Sequence, residues 1–198
     1  MPPSRPPSLC LASVSPRRRE LLSQIGVTYS VAAADVDETV RSGETPRQYV
    51  TRLAREKALA VRRGGQPLPV LAADTTVVLD GVIFGKPRDR ADAIEMLGRL
   101  SGRTHEVLTA VALADAHSVT ERLSASSVRF RQLSGEECAA YWETGEPRDK
   151  AGGYAIQGRA AVFIESLQGS YSAVMGLPLF ETAELLRQAG ISYWDFPA

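Results

Sequence analysis

Histidine and cysteine are scarce in this chain, with two of each among 198 residues. A structural zinc site needs a cluster of such ligands at set spacings, and Cys10, Cys138, His105 and His117 offer none. A Ser-His-Asp hydrolase is not indicated: His105 falls in an alternating strand, His117 in a turn, and no nucleophile elbow lies near either. There is no excess of positive charge, because 23 Lys and Arg balance 23 Asp and Glu. That argues against sequence-independent nucleic-acid binding. No run is long and apolar enough to span a bilayer. The opening Met1-Pro2-Pro3-Ser4-Arg5-Pro6-Pro7-Ser8 lacks the apolar core of a secretory signal. There is no Walker loop, no Gly-x-Gly-x-x-Gly after a strand, no internal repeat and no low-complexity tract. The expectation is a cytoplasmic protein with two buried, reduced thiols and no nucleic-acid or membrane partner.

What is present is a core and an alternation of elements. Hydrophobic residues make up 44% of the chain and charged residues 23%, which is ordinary for a globular protein. Residues 1–8 are expected to form a disordered Pro-rich tail, and residues 9–198 a single domain, one or two lobes in shape. Residues 8–13 read as a strand; Ser15 and Pro16 then cap and open a helix to Ile25, with Gly26 as its stop. Val27–Ala33 is a second strand. Thr45-Pro46-Arg47-Gln48 is a capping box opening a helix to about Arg62, with Val50, Leu53, Ala54 and Val61 along its apolar stripe. Val70–Leu79 is a buried strand, turned by Asp80-Gly81 into Val82–Phe84. A helix from Asp89 to Leu100 follows, then paired strands Thr104–Leu113 and Val119–Phe130. Ser134-Gly135-Glu136-Glu137 caps a helix that ends at Gly145. Short strands are expected at Tyr154–Ile156 and Val162–Glu165, and a last helix at Leu179–Ala189. This is an α/β pattern with one mixed sheet flanked by helices.

Several residues have chemistry in excess of packing. A strand that ends just before a helix start exposes N–H groups and the positive end of the helix dipole, which together bind phosphate. Ser13 and Ser15 occupy such a turn, and Arg17 and Arg18 add forked donors. A solvated basic first turn accounts for the same residues. Asp74 stands in the Val/Leu/Ala strand, where a carboxylate is costly unless paired, ligated or at the strand's open end. It suits a metal ligand or general base. Lys57 lies on the apolar stripe of its helix, and either snorkels to the rim or points into a pocket. Lys86, in Gly85-Lys86-Pro87, follows the hairpin that leads back along the Asp74 strand; it faces a phosphate there or is a surface lysine. Glu38, in Asp35-Val36-Asp37-Glu38-Thr39, would with Asp74 suffice for Mg²⁺, which needs few carboxylates besides phosphates and water. A polar loop is the plain alternative. Gln157, between glycines, offers the donor and acceptor that read a base edge, or simply fills a tight turn.

Taken in order, these segments resemble a known family. They are Leu11-Ala12-Ser13-x-Ser15-Pro16-Arg17-Arg18, Arg55-Glu56-Lys57-Ala58, Ala73-Asp74-Thr75, Gly85-Lys86-Pro87, Ser101-Gly102-x-Thr104-His105, Asp149-Lys150-Ala151-Gly152-x-Tyr154-x-Ile156-Gln157-Gly158 and Gly169-Ser170-Tyr171-x-x-Val174-x-Gly176-Leu177-Pro178. Each is weak alone, but the ordered set over nearly the whole chain is similar to the Maf family. The resemblance implies a Maf-type fold related to that of inosine triphosphatase, with two lobes around a central cleft. It implies a homodimer and hydrolysis of a nucleoside triphosphate to the monophosphate and pyrophosphate, with Mg²⁺ or Mn²⁺. The subgroup acting on dTTP and UTP is marked by the Arg after Ser-Pro, the Thr after the Asp and the Gln of Ile-Gln-Gly. Here these are Arg17, Thr75 and Gln157. The departures are a Pro-rich extension and Val14, where the family often has Gly or Ala.

On that resemblance, Ser13, Ser15, Arg17, Arg18, Lys57 and Lys86 hold the triphosphate. Glu38 and Asp74 hold the metal, Asp74 activates water, and Thr75, Gln157 and Arg17 read the pyrimidine. Two rivals stand beside this expectation. One is a nucleotide-binding regulator of cell division or septum formation with little turnover. The other is a pyrophosphatase directed at 7-methyl-GTP or inosine nucleotides; modified pyrimidine nucleotides fall within the dTTP and UTP expectation itself.

Overall fold

In the computed structural model, which describes residues 6–194, local signals set most boundaries. In chain order the elements are β1 (Leu9–Leu11), α1 (Pro16–Gln24), β2 (Tyr29–Val31), α2 (Pro46–Arg63), β3 (Val70–Leu79), β4 (Val82–Phe84), α3 (Arg90–Leu100), β5 (Thr104–Ala114) and β6 (Val119–Phe130). Then come α4 (Gly135–Glu143), three short 3₁₀ turns (Glu146–Asp149, Ala151–Gly153 and Arg159–Phe163), β7 (Ile164–Gln168), α5 (Tyr171–Met175) and α6 (Leu179–Gln188). Both expected capping boxes form. Thr45 and Gln48 exchange side-chain and backbone hydrogen bonds before α2, and Ser134 and Glu137 do so before α4. Asp80 (φ 52°) and Gly81 (φ 78°) are both left-handed, as the two-residue hairpin between β3 and β4 requires.

The strands form one mixed seven-stranded sheet, ordered β2-β1-β3-β5-β6-β7, with β4 also paired to β3. β1 is parallel to both β2 and β3, whereas β3–β4 and β6–β7 are antiparallel. The chain separates into two compact units. One takes the chain up to Asp74, Thr109–Ser124 and the chain from Gly176 on; the other takes Thr75–Leu108 and Ala125–Met175. In the first, Leu9, Leu11, Leu22, Leu53, Leu71 and Leu185 are fully buried or nearly so. In the second, Val77, Leu97, Val107, Phe130, Tyr141 and Phe163 belong to one apolar cluster.

Three expectations need correction. Tyr154–Ile156 is buried but is not a strand; it runs between 3₁₀ turns. The strand expected at Val162–Glu165 begins later, at Ile164, because Arg159–Phe163 is helical. On α2, Ala58 rather than Val61 completes the buried stripe. Of the expected tail, residues 1–5 lie outside the described residues. Pro6 O accepts from the Thr28 hydroxyl (3.0 Å), and Ser8 N–H donates to Thr28 O (2.9 Å).

The irregular stretch owes its path to glycine. Gly152 and Gly153 have φ of 69° and 67°. A Cβ on Gly152 would lie 2.9 Å from Val77 Cγ2 and 3.0 Å from Val77 Cβ, whereas one on Gly153 would meet only Pro87 at 3.8 Å. Gly153→Ala is therefore expected to cost only the left-handed penalty of about 1–2 kcal/mol. Gly152→Ala should cost a further ~1–3 kcal/mol, since a β-branched neighbour in a packed core cannot give way. Urea denaturation of the pair measures the difference.

Candidate active site

The short parallel strand β1 sets where the site opens. Its last residue, Leu11, pairs with Leu71, and Ala12 N–H donates to Leu71 O (2.8 Å). β3 runs on without that neighbour, so Asp74 lies mid-strand yet beyond the carboxyl end of the parallel pair. Ligands of α/β sheets gather at that end. Asp74 is 7% exposed.

α2 supplies its partner. Lys57 follows the buried residues Val50, Leu53 and Ala54 at helical spacing. Its Nζ lies 2.6 Å from Asp74 Oδ1 and 2.6 Å from Glu38 Oε1. The Lys57 and Asp74 side chains are nearly buried, while that of Glu38 is half exposed. Lysine on an apolar stripe thus points inward, because a buried carboxylate waits there.

Glu38 is held by contacts that spacing alone does not disclose. The Tyr49 hydroxyl donates to Glu38 O (3.1 Å), and Arg52 Nη2 donates to Thr39 O (3.1 Å). Asp37, the neighbouring acid, accepts from Thr39 N–H (2.9 Å) and so shapes the loop. Arg52 is in turn fixed by Glu44, through Nε to Oε1 (2.6 Å) and Nη2 to Oε2 (2.8 Å). The Arg52 hydrogen bond holds the Glu44 carboxyl down to about 2. Burial, and next the Asp74 and Glu38 charges, push the Tyr49 hydroxyl up to about 12.

The turn before α1 is the third piece. Ser13 is nearly buried, and its Oγ accepts from Ser15 N–H (3.2 Å) and Arg18 Nη1 (3.5 Å). Arg18 Nε donates to Gly176 O (2.8 Å), which fixes the guanidinium. Ser15 occupies the N-cap with extended backbone, but contrary to expectation its side chain makes no capping hydrogen bond. Pro16 at the first helical position has no N–H to cap. Arg17 is part-buried on the same turn.

Electrostatics tie these pieces together. Burial raises the Asp74 pKa above the ordinary carboxylate range, with Lys57 and Arg18 pulling the other way. Burial likewise lowers that of Arg18, while the Asp74 charge raises it. The first unit therefore brings Arg18, Glu38, Lys57 and Asp74 into one group of opposed charges, with Ser13 hydrogen-bonded to Arg18 and to the Ser15 amide.

Thr75, Lys86 and Gln157 belong to the second unit. Thr75 is part-buried on β3. Lys86 is exposed in the loop after β4, where continuing the Val77–Phe84 register carries the chain back towards Thr75. That loop is pinned by Gly152 N–H donating to Gly85 O (3.0 Å). Gln157 is exposed at the middle of a turn, closed by Gly158 N–H to Ala155 O (3.0 Å). The flanks of this turn rest on Tyr141 and Glu146. Burial opposes the Glu146 charge, but hydrogen bonds from Tyr141 and two backbone amides hold its carboxyl below the ordinary range. Sequence reasoning passed over Tyr49, Arg52, Tyr141 and Glu146. The one available signal was an acid between Gly145 and Pro147.

By its fold this is a mixed α/β protein with a buried lysine–carboxylate centre beyond the end of a parallel strand pair. The profile of the Maf family, described as Maf-like protein, matches residues 8–189. The dTTP/UTP pyrophosphatase of Alkalilimnicola ehrlichii is 56% identical over 199 residues, covering 98% of each chain. That of Methylococcus capsulatus is 57% identical over 92% of this chain and 91% of its own. That of Hahella chejuensis is 54% identical over 94% of each. The chain belongs to the Maf family.

Proposed function

We propose that the protein is a nucleoside triphosphate pyrophosphatase that hydrolyses dTTP and UTP to the monophosphate and pyrophosphate. The observation that carries this is the Lys57 ammonium held between the Asp74 and Glu38 carboxylates, beside the arginine-bearing start of α1. Near-full-length relatives named for that activity support it.

The donor set fits a divalent cation. Two carboxylates already converge on one positive charge at 2.6 Å. Among the described residues no group of three or more His, Cys, Asp or Glu gathers. Mg²⁺ or Mn²⁺ held by one or two carboxylates takes its remaining ligands from water and substrate phosphates. Glu38 and Asp74 would hold it, and its chemistry there is to neutralise charge developing on the phosphates.

The chain's own groups then divide the work. The α1 start with Ser13, Ser15 and Arg18 receives phosphate oxygens. Lys57 and Lys86 add charge against the leaving pyrophosphate. Asp74 takes a proton from water as its oxygen bonds to the α-phosphorus, and the bond from that phosphorus to the bridging oxygen breaks. Arg17, Thr75 and Gln157 read the pyrimidine. A cytoplasmic homodimer completes the reading. The test is pyrophosphate release from each common nucleotide with Mn²⁺. dTTP and UTP should exceed the purine nucleotides in kcat/KM by at least about 10-fold. Equal rates on all of them would remove the pyrimidine assignment.

A further inference from the structure

The structure assigns to Tyr141 and Glu146 the task of positioning Gln157, which makes them specificity-determining residues. This rests on the reading of Gln157 as the group that meets the base. Gln157 itself is exposed, and its turn lies outside any strand. What fixes it comes from α4 and the residue after Gly145. On the near side, Ala155 N–H donates to the Tyr141 hydroxyl (3.2 Å). On the far side, Arg159 N–H donates to Glu146 Oε2 (3.1 Å) and Ala160 N–H to Glu146 Oε1 (3.4 Å). The two anchors are joined, since the Tyr141 hydroxyl donates to Glu146 Oε1 (2.6 Å). One phenol and one carboxylate thus hold both ends of a turn that no ladder supports.

Other features agree. Tyr154, just before the turn, is buried with its hydroxyl 2.8 Å from His105 Nε2 and its ring edge-on to Phe130. A Cβ on Gly158 would come within 2.4 Å of the Glu146 carboxylate atoms, although its φ of −107° suits any residue. A methyl group there would push the carboxylate off the Arg159 and Ala160 amides. A backbone-bound carboxylate and a phenol with a single acceptor task are rigid supports. A side chain that reads a base edge needs such support, since a misplacement of about 1 Å is costly.

The experiment uses the full chain with dTTP, UTP, dATP and dGTP. Variants are Tyr141→Phe, Glu146→Ala, Glu146→Gln, Gly158→Ala, Gln157→Ala and the Tyr141→Phe/Gln157→Ala double. Tyr141→Phe and Glu146→Ala should raise KM for dTTP by about 10- to 100-fold and leave kcat within about 3-fold. Preference over purine nucleotides should fall in parallel. Gly158→Ala should behave like Glu146→Ala, and Glu146→Gln should regain part of the loss. Tyr141→Phe should add nothing in the Gln157→Ala background, as expected of residues acting through one another. Equal losses on every nucleotide, or additive effects in the double, would overturn the assignment. Amide hydrogen exchange over residues 155–160 decides independently of catalysis. It should speed up by at least about 10-fold in Tyr141→Phe, and unchanged exchange would also overturn it. A wild-type enzyme without pyrimidine preference would instead sink the proposed function, with exchange still testing the support.

Discussion

Asp74→Asn is expected to lower kcat/KM by about 10²- to 10⁴-fold, the usual contribution of a positioned general base. The effect on stability at pH 7 should be small, because Lys57 keeps Glu38 as an acidic partner at 2.6 Å when the buried Asp74 charge is removed. Both effects follow from the same burial. Asp74 lies among the apolar residues of β3 at 7% exposure, and burial raises its pKa above the ordinary value. A carboxyl that binds its proton more tightly when folded supports the fold fully at low pH. That support is lost as pH rises through the folded value. At neutral pH the ionised form is therefore a cost to stability, which asparagine avoids. Activity runs the opposite way, since only the ionised form takes a proton from water. In the wild type, kcat/KM should rise with pH as Asp74 ionises, and Asp74→Asn should lack that limb. A pH–rate profile beside a thermal melt checks both. An asparagine variant with wild-type turnover would remove Asp74 from the base role.

Much of this frame was legible because local rules and burial agreed. Val70–Leu79, Asp80-Gly81 and Val82–Phe84 fall where the continuous apolar run and the Asp-Gly turn signal place them. The boxes at Thr45 and Ser134 start α2 and α4 for a reason contained in four residues. Asp74 and Lys57 were legible as anomalies, each a charge among apolar neighbours, and each explains the other. Tyr154–Ile156 misled for a physical reason. An apolar triplet is equally at home in a strand or a buried turn, and here Tyr141 replaces a neighbouring strand as partner of the Ala155 amide. The support of Glu38 by Tyr49 and Arg52 depends on how a loop lies against α2, over separations of 11 to 15 residues. No periodicity encodes that.

Lys57→Met should produce the largest change in stability. It leaves Asp74 buried without the ammonium that now lies 2.6 Å away. Removing one partner of a buried pair typically costs about 3–5 kcal/mol, because the other charge stays desolvated. Glu38 adds little to this, being half exposed. The cost should depend on pH in a definite direction. Lys57 pulls the Asp74 pKa downward, so without it that pKa moves further up. The carboxyl escapes the penalty by taking a proton, which it does more readily at pH 5 than at pH 8. Denaturant unfolding at the two pH values should show a smaller wild-type-to-variant gap at pH 5; an equal gap would mean that Lys57 acts through packing of its methylenes. The double variant Lys57→Met/Asp74→Leu separates pairing from catalysis. Replacing a buried ion pair by apolar groups of similar size is often neutral or stabilising, so the double should recover the stability lost in Lys57→Met. It should hydrolyse nothing. A stable, inactive double beside an unstable single would show that this charge centre is retained for its chemistry and not for the fold.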